Sequence, residues 1–152
     1  MKTDLKDLAQ RQVESLLAPW RQPLPKKPPK GWIKALREGL GMPASSLARL
    51  MGVEQSTIKR YEEAEASGAI SLKTLQKVAE ALGSELKYAL VPKEPLPQVI
   101  EDRARLVAQE RMKSVVQTMA LEDQSTPYEQ LEALITEQVK LLINGSRRDL
   151  WR

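Results

Sequence analysis

The chain of 152 residues contains no cysteine and no histidine. Without thiols there is no disulfide and no thiolate nucleophile, and without imidazole the commonest general base and the commonest metal ligand are missing. Nearly every transition-metal site goes with them. There is also no phosphate-cradling glycine loop, no G-x-S-x-G elbow and no cluster with metal-ligand spacing. A self-cleaving repressor built on a Ser/Lys pair would need an additional β-rich domain, for which this length leaves no room. Carboxylates are dense only at Glu62, Glu63 and Glu65. Near neighbours at the end of a helix point in different directions, so these three read as a solvated face or a rim that repels neighbours, not as an acid/base pair. The expectation is a protein that is not an enzyme and needs neither cofactor nor metal.

Long apolar runs are absent too. No stretch of eighteen apolar residues exists, and the opening "MKTDLKDLAQRQ" lacks the apolar centre of a signal peptide. Neither a membrane nor export is indicated, and the chain reads as cytoplasmic. What is present is 41% apolar content, enough for one compact core with flanking helices. The net charge of +4 is uneven: residues 1–30 hold 7 basic and 3 acidic side chains, residues 31–92 hold 8 and 7, and residues 93–152 hold 9 and 10. A weakly basic chain is compatible with nucleic acid, and equally with an ordinary solvated surface.

Periodicity divides the chain into five parts. Leu5, Leu8, Ala9, Val13, Leu16, Leu17 and Trp20 recur at helical spacing, which predicts an amphipathic helix over residues 1–20. The following "RQPLPKKPPKG", residues 21–31, holds four prolines and three lysines and predicts an extended linker that leaves the first helix as a separate arm. Residues 32–83 read as four short helices, "WIKALREGLG", "PASSLARLMG", "EQSTIKRYEEAEASG" and "SLKTLQKVAEALG", each closed by a glycine, with Pro43 suited to a first turn and Ser71 to a cap. In "SELKYALVP", residues 84–92, Leu86, Tyr88 and Leu90 alternate with Lys87 and Ala89 until Pro92, the pattern of a short β-strand. Residues 93–152 add two amphipathic stripes: Val99, Ile100, Ala104, Val107, Ala108, Met112, Val115 and Met119, then Tyr128, Leu131, Leu134, Ile135 and Leu142, separated by the turn-like "EDQSTP". Such stripes are packing surfaces or partner-binding faces.

The most informative spacing is Leu47, Ala48, Met51, Gly52, Val53, Ile58 and Tyr61, the order that packs two short helices across a tight turn. Ala48 permits close approach, Gly52 the turn's backbone angle, and the remaining apolar residues pin the second helix down. Left outward on that helix are Gln55, Ser56, Thr57, Lys59 and Arg60, groups that hydrogen-bond base edges and phosphates, with Glu54 the one acid among them. An ordinary αα-hairpin of a helical bundle is the competing reading.

Over residues 32–83 the chain resembles the Xre/Cro-like repressor family, through "SSLARLMGVEQSTIKRYEE" followed by "SLKTLQKVAEALG". The resemblance implies a mainly α fold with a helix-turn-helix. It places Gln55 and Ser56 where the recognition helix meets base edges, Lys59 and Arg60 where it meets bases or backbone, and Thr57 beside the phosphates. The chain departs from that family at Pro43, where a serine or threonine cap is usual, and at Ala64, usually glycine, with a longer following loop that extends the third helix to Gly68. Through "PPKGWIKALREGLGM", "EASGAISLKTLQKVAEALGSELKYALVP", "TMALEDQ" and the C-terminal "LW" it is also similar to the mobile mystery protein A family. That likeness implies a small bacterial regulator on a mobile element, paired with a Fic-domain partner and antitoxin-like in role. Fic inhibitors often carry Ser or Thr, three residues, Glu, then Gly or Asn; the nearest run, Ser125 to Glu129, continues with Gln130 and is interrupted by Pro127.

The reading is a sequence-specific DNA-binding repressor acting as a homodimer, with direct binding and silencing of a toxin-like Fic enzyme as the rival. A lone strand leaves its backbone edge unpaired. Antiparallel pairing of residues 84–92 with a second copy would satisfy it, bury Leu86, Tyr88 and Leu90, and set two recognition helices roughly 34 Å apart over a palindromic operator.

Overall fold

A computed structural model of the chain describes residues 2–122 and 128–152. The regular elements among the described residues are helical: α1 (Lys2–Leu17), α2 (Trp32–Gly39), α3 (Ala44–Met51), α4 (Gln55–Ser67), α5 (Leu72–Ala81), α6 (Leu96–Leu121) and α7 (Tyr128–Asn144), with single 3-10 turns at Ala18–Arg21 and Arg147–Leu150. They fold as two units, Gln22–Ala89 and the flanks Met1–Arg21 with Leu90–Arg152. The sequence motif read against Fic inhibitors lies largely outside the described residues: Ser125 and Pro127 are not described, while Glu129 and Gln130 sit in the first turn of α7.

The expected strand over residues 84–92 is not formed; among the described residues there is no strand. The segment runs without a turn or bend, and residues 85–94 make no backbone hydrogen bond to another described residue. A strand exists only through its ladder, and the one other extended stretch, the linker before α2, is rich in proline and is a poor ladder partner.

In the unit Gln22–Ala89 the core is Ile33 of α2, Leu47 and Ala48 of α3, Ile58 of α4, Val78 of α5 and Leu82 just beyond it, with Met51, Val53, Tyr61 and Leu75 packed around them. Each of the four helices contributes an apolar face too narrow to stand alone, and together they close one small core. Pro43 precedes α3 as its cap residue and does not enter its first turn. Ser71 caps α5, its hydroxyl accepting from the Thr74 N–H at 3.1 Å.

The glutamates of α4 correct the sequence reading. Glu62 and Glu65 are buried, at 9% and 3% exposure, and only Glu63 faces solvent. Glu65 sits across the start of α2: its carboxylate oxygens accept the N–H groups of Trp32 and Ile33, each at 2.8 Å, two of the donors that a helix leaves without an internal partner. Its backbone carbonyl accepts from Lys27 Nζ at 2.7 Å. One turn earlier, Glu62 accepts from Arg37 Nε of α2 at 2.6 Å, and Arg37 also donates to the Met42 carbonyl at 3.0 Å. The hydrogen bond that Arg37 donates to Glu62 pushes the Arg37 pKa above its ordinary value. Both carboxylates face inward because 62 and 65 are three apart, on the face of α4 that looks at α2.

Gly31 completes this joint. It precedes α2 at φ 87°, a conformation that L side chains rarely adopt, and a Cβ placed there would lie 2.7 Å from Glu65 Oε2.

The other unit is built on the pair α6 and α7. Ala104, Val107 and Ala108 meet Ile135, Val139 and Leu142, and Leu150 from the final 3-10 turn closes the end. Arg103 reinforces that closure, donating from Nε to the Leu150 carbonyl at 2.6 Å and lying 5.6 Å from the Trp151 ring centre. Helix α1 joins this unit by its polar side. Lys6 donates to the Gly145 carbonyl at 2.7 Å, Arg147 to Asp7 at 3.2 Å and to Gln10 at 3.3 Å, and Glu14 accepts the Leu96 N–H at 2.7 Å. Its apolar side faces out, with Leu5, Leu8, Val13 and Leu16 all exposed.

Glu65→Ala leaves two buried-end N–H groups of α2 without an acceptor and is expected to cost about 2–3 kcal/mol in urea unfolding. Gly31→Ala is expected to cost a similar amount by displacing the same carboxylate, and the double variant to cost clearly less than the two together, since both remove one interaction.

Candidate nucleic-acid interface

Helix α3 ends at Gly52, which takes the left-handed conformation at φ 66° and ψ 33°. The Val53 N–H then reaches back to the Ala48 carbonyl at 3.0 Å and the Gly52 N–H to Arg49 at 3.3 Å, the bonding of a helix stopped by a left-handed residue. Two residues later α4 begins after Glu54, whose backbone is extended at φ −76° and ψ 154° and whose side chain makes no capping bond. The Thr57 N–H is met by the Glu54 carbonyl at 3.0 Å.

The residues expected to hold this pair of helices occupy one side of it. Leu47 and Ile58 are fully buried, Ala48 nearly so, and Met51, Val53 and Tyr61 are half-buried around them. Gly52 is exposed at the turn. The opposite side of α4 presents Gln55, Ser56, Lys59 and Arg60, all exposed, with Thr57 half-buried beside them. Ser56 Oγ lies 3.4 Å from Glu54 Oε2, a long contact between two exposed groups that a stronger partner displaces. Residues 86, 88 and 90 are elsewhere: Leu86 is half-buried, Tyr88 is 67% exposed and Leu90 is 90% exposed.

Thus α4 is divided along its length. Its first turns carry outward hydrogen-bonding and cationic groups, and its last turns carry the two buried carboxylates that tie it to α2. A family model for the helix-turn-helix, HTH_3, matches residues 33–88. Residues 33–88 form a helix-turn-helix domain. No curated protein and no solved structure matches the chain.

The charge follows this division into units. Residues 22–89, which contain the helix-turn-helix domain, hold 11 basic and 7 acidic side chains, while the rest of the chain holds 13 of each. The whole excess of +4 therefore sits on the unit that contains the domain. Two of its seven acids, Glu62 and Glu65, are turned inward, which leaves the outer surface more cationic than the count suggests.

Sequence reasoning missed Arg37, Glu62, Glu65 and Gly31 as a set. The available signal was the glycine before Trp32 together with two glutamates three apart on α4, but the acceptors are 32 and 33 residues away from the amides that they serve.

The two faces of α4 should respond differently to truncation. Ile58→Ala removes a side chain with no solvent exposure and is expected to destabilise by about 2–5 kcal/mol. Lys59→Ala, next to it and exposed, should stay within about 0.5 kcal/mol of the parent in the same urea titration.

Proposed function

We propose that the chain is a sequence-specific repressor that binds double-stranded DNA through α4. The observation that carries this reading is the outward face of Gln55, Ser56, Thr57, Lys59 and Arg60, held against α3 by the Gly52 turn. A helix-turn-helix enters the major groove with the N-terminal part of its second helix, so Gln55 and Ser56 read base edges while Lys59 and Arg60 share base and phosphate contacts. Glutamine pairs in bidentate fashion with adenine, and the cations neutralise backbone charge. No chemistry is assigned to the site: the role is binding, without catalysis or cofactor.

Two copies of the chain complete the proposal. Residues 85–92 offer a backbone edge without partners among the described residues, beside the exposed Tyr88 and Leu90. Antiparallel pairing with a second copy gives a two-fold dimer and hence a palindromic operator with half-sites about 34 Å apart.

Footprinting of the purified chain on the DNA upstream of its own coding sequence tests this reading. In fluorescence anisotropy on the protected site, Gln55→Ala should relax discrimination at one base pair by about 1–3 kcal/mol. Arg60→Ala should weaken binding across sequences and reduce the salt slope by about 1. Operator affinity unchanged in both variants would rule out this face of α4.

A second reading is supported by α1 together with the likeness to the mobile mystery protein A family. Helix α1 uses its polar side for anchoring and leaves Leu5, Leu8, Val13 and Leu16 outward, which suits a protein partner. The partner that the likeness implies is a Fic-domain enzyme held by an antitoxin-like regulator of a mobile element. Leu8→Glu with Leu16→Glu should then abolish co-purification with a co-expressed Fic-domain partner and leave operator binding intact. Equal recovery of the partner with and without the two substitutions would remove α1 from that role.

A further inference from the structure

The unit Gln22–Ala89 holds an apolar cleft of about 450 Å³ that the DNA-binding reading does not use. Its walls include Trp32 and Leu36 of α2, Leu75 and Ala79 of α5, Leu82, and Leu86 from the segment that follows α5. Trp32 and Leu36 are 47% and 38% exposed, so the cleft stands open to solvent. One wall of this cleft is therefore the same segment whose backbone lacks partners.

The ends of that segment fix how a second copy can pair with it. The Ser84 N–H is already bonded to the Ala79 carbonyl at 2.8 Å, and the N–H groups of Leu82 and Gly83 are likewise bonded within the end of α5. At the other end Pro92 has no N–H. The free stretch thus runs between residues 84 and 92, and its midpoint is Tyr88. An antiparallel two-fold centred there places Tyr88 opposite its own copy and Leu86 opposite Leu90. With the Tyr88 pair in a non-hydrogen-bonded position, alternation puts Glu85, Lys87, Ala89 and Val91 in the bonded positions and Ser84 opposite Pro92 in another non-bonded one. The two residues without a free N–H then fall where the ladder asks for none.

Neighbouring registers that keep the alternating apolar residues on one face fare worse. A centre at Lys87 stacks that lysine on its own copy and sets Leu90 against Ser84. A centre at Leu86 drives the ladder into residues 82 and 83, whose amides are already used. A centre at Ala89 leaves Ser84 and Glu85 outside the ladder. Residues directly opposite in an antiparallel pair project to the same face, so the partner copy's Leu90 lies on the face of Leu86, which lines the cleft together with Ser84, Glu85 and Lys87.

We propose that the cleft between α2, α5 and residues 84–87 is the seat for Leu90 of a second copy, in an antiparallel seam centred on Tyr88. The proposal rests on the dimer reading given above and specifies its register and what fills the cleft. It accounts for two features of one chain together: a leucine at 90% exposure and an apolar cleft open to solvent. Both cleft and leucine are present in each copy, so a two-fold fills both seats.

Because the chain has no cysteine, single introduced thiols report the register without background. Tyr88→Cys, at an exposed position, should shift under mild oxidation to twice the chain mass on a non-reducing gel, since opposite non-bonded residues approach disulfide distance. Val91→Cys should remain at single mass, because its own copy is several residues away along the seam. Leu86→Cys and Leu90→Cys should each stay at single mass alone and cross-link when the two proteins are mixed. Sedimentation of the unmodified chain is measured alongside, and circular dichroism verifies the helical content of each variant. A chain that sediments as a monomer overturns the dimer reading and the seam with it. A dimer in which Val91→Cys cross-links and Tyr88→Cys does not overturns the seam alone. Leu90→Glu is expected to lose dimerisation while the helical signal is kept, and a dimer retained in that variant also overturns the seating of Leu90.

Discussion

The carboxylate of Glu65 sits at 3% exposure against the first two amides of α2, and the orientation of α4 follows from it. A charge cannot be left in such a place without donors, and the start of a helix supplies two fixed ones with a favourable dipole. The Arg37 to Glu62 pair repeats the link one turn earlier, so α4 is held to α2 at two successive positions on one face. Hydrophobic contacts alone let a short helix roll, because apolar packing is weakly directional. Two directional links on the inward side limit that roll and fix which residues face outward at the other end of the same helix.

This arrangement explains what was legible in the sequence. The interior of the helix-turn-helix follows from spacing: Leu47, Ala48, Ile58 and their neighbours form one core because their periodicity is helical and a glycine interrupts it once. The outward set on α4 follows by subtraction from that pattern. Glu65 was illegible because its partners are backbone amides at the start of another helix, which leave no trace in residue identity, and Glu62 because its partner Arg37 lies 25 residues away in the chain. The segment 84–92 reads as a strand by alternation, yet alternation describes only one edge of a ladder and says nothing of the other. Helix α1 reads as amphipathic, but periodicity does not say which side faces its neighbours; the Arg147–Asp7 ion pair and the hydrogen bond from the Leu96 N–H to Glu14 decided that against the apolar side.

The two units differ in charge and in exposed apolar surface. All of the net positive charge lies with Gln22–Ala89, while the flanking unit is neutral overall and shows apolar surface on α1. Charge at this level speeds encounter with a polyanion and gives salt-sensitive affinity. A neutral surface with outward leucines favours association with protein.

The joint at Glu65 also has a kinetic meaning. Amides in the first turn of a helix ordinarily exchange their hydrogens with solvent quickly, since nothing in the helix holds them. At Trp32 and Ile33 the acceptor is a side chain on α4, so exchange of these two amides requires breaking their bonds to Glu65. Their exchange rates therefore report on the link between α2 and α4, read from a site more than twenty residues before α4 in the chain.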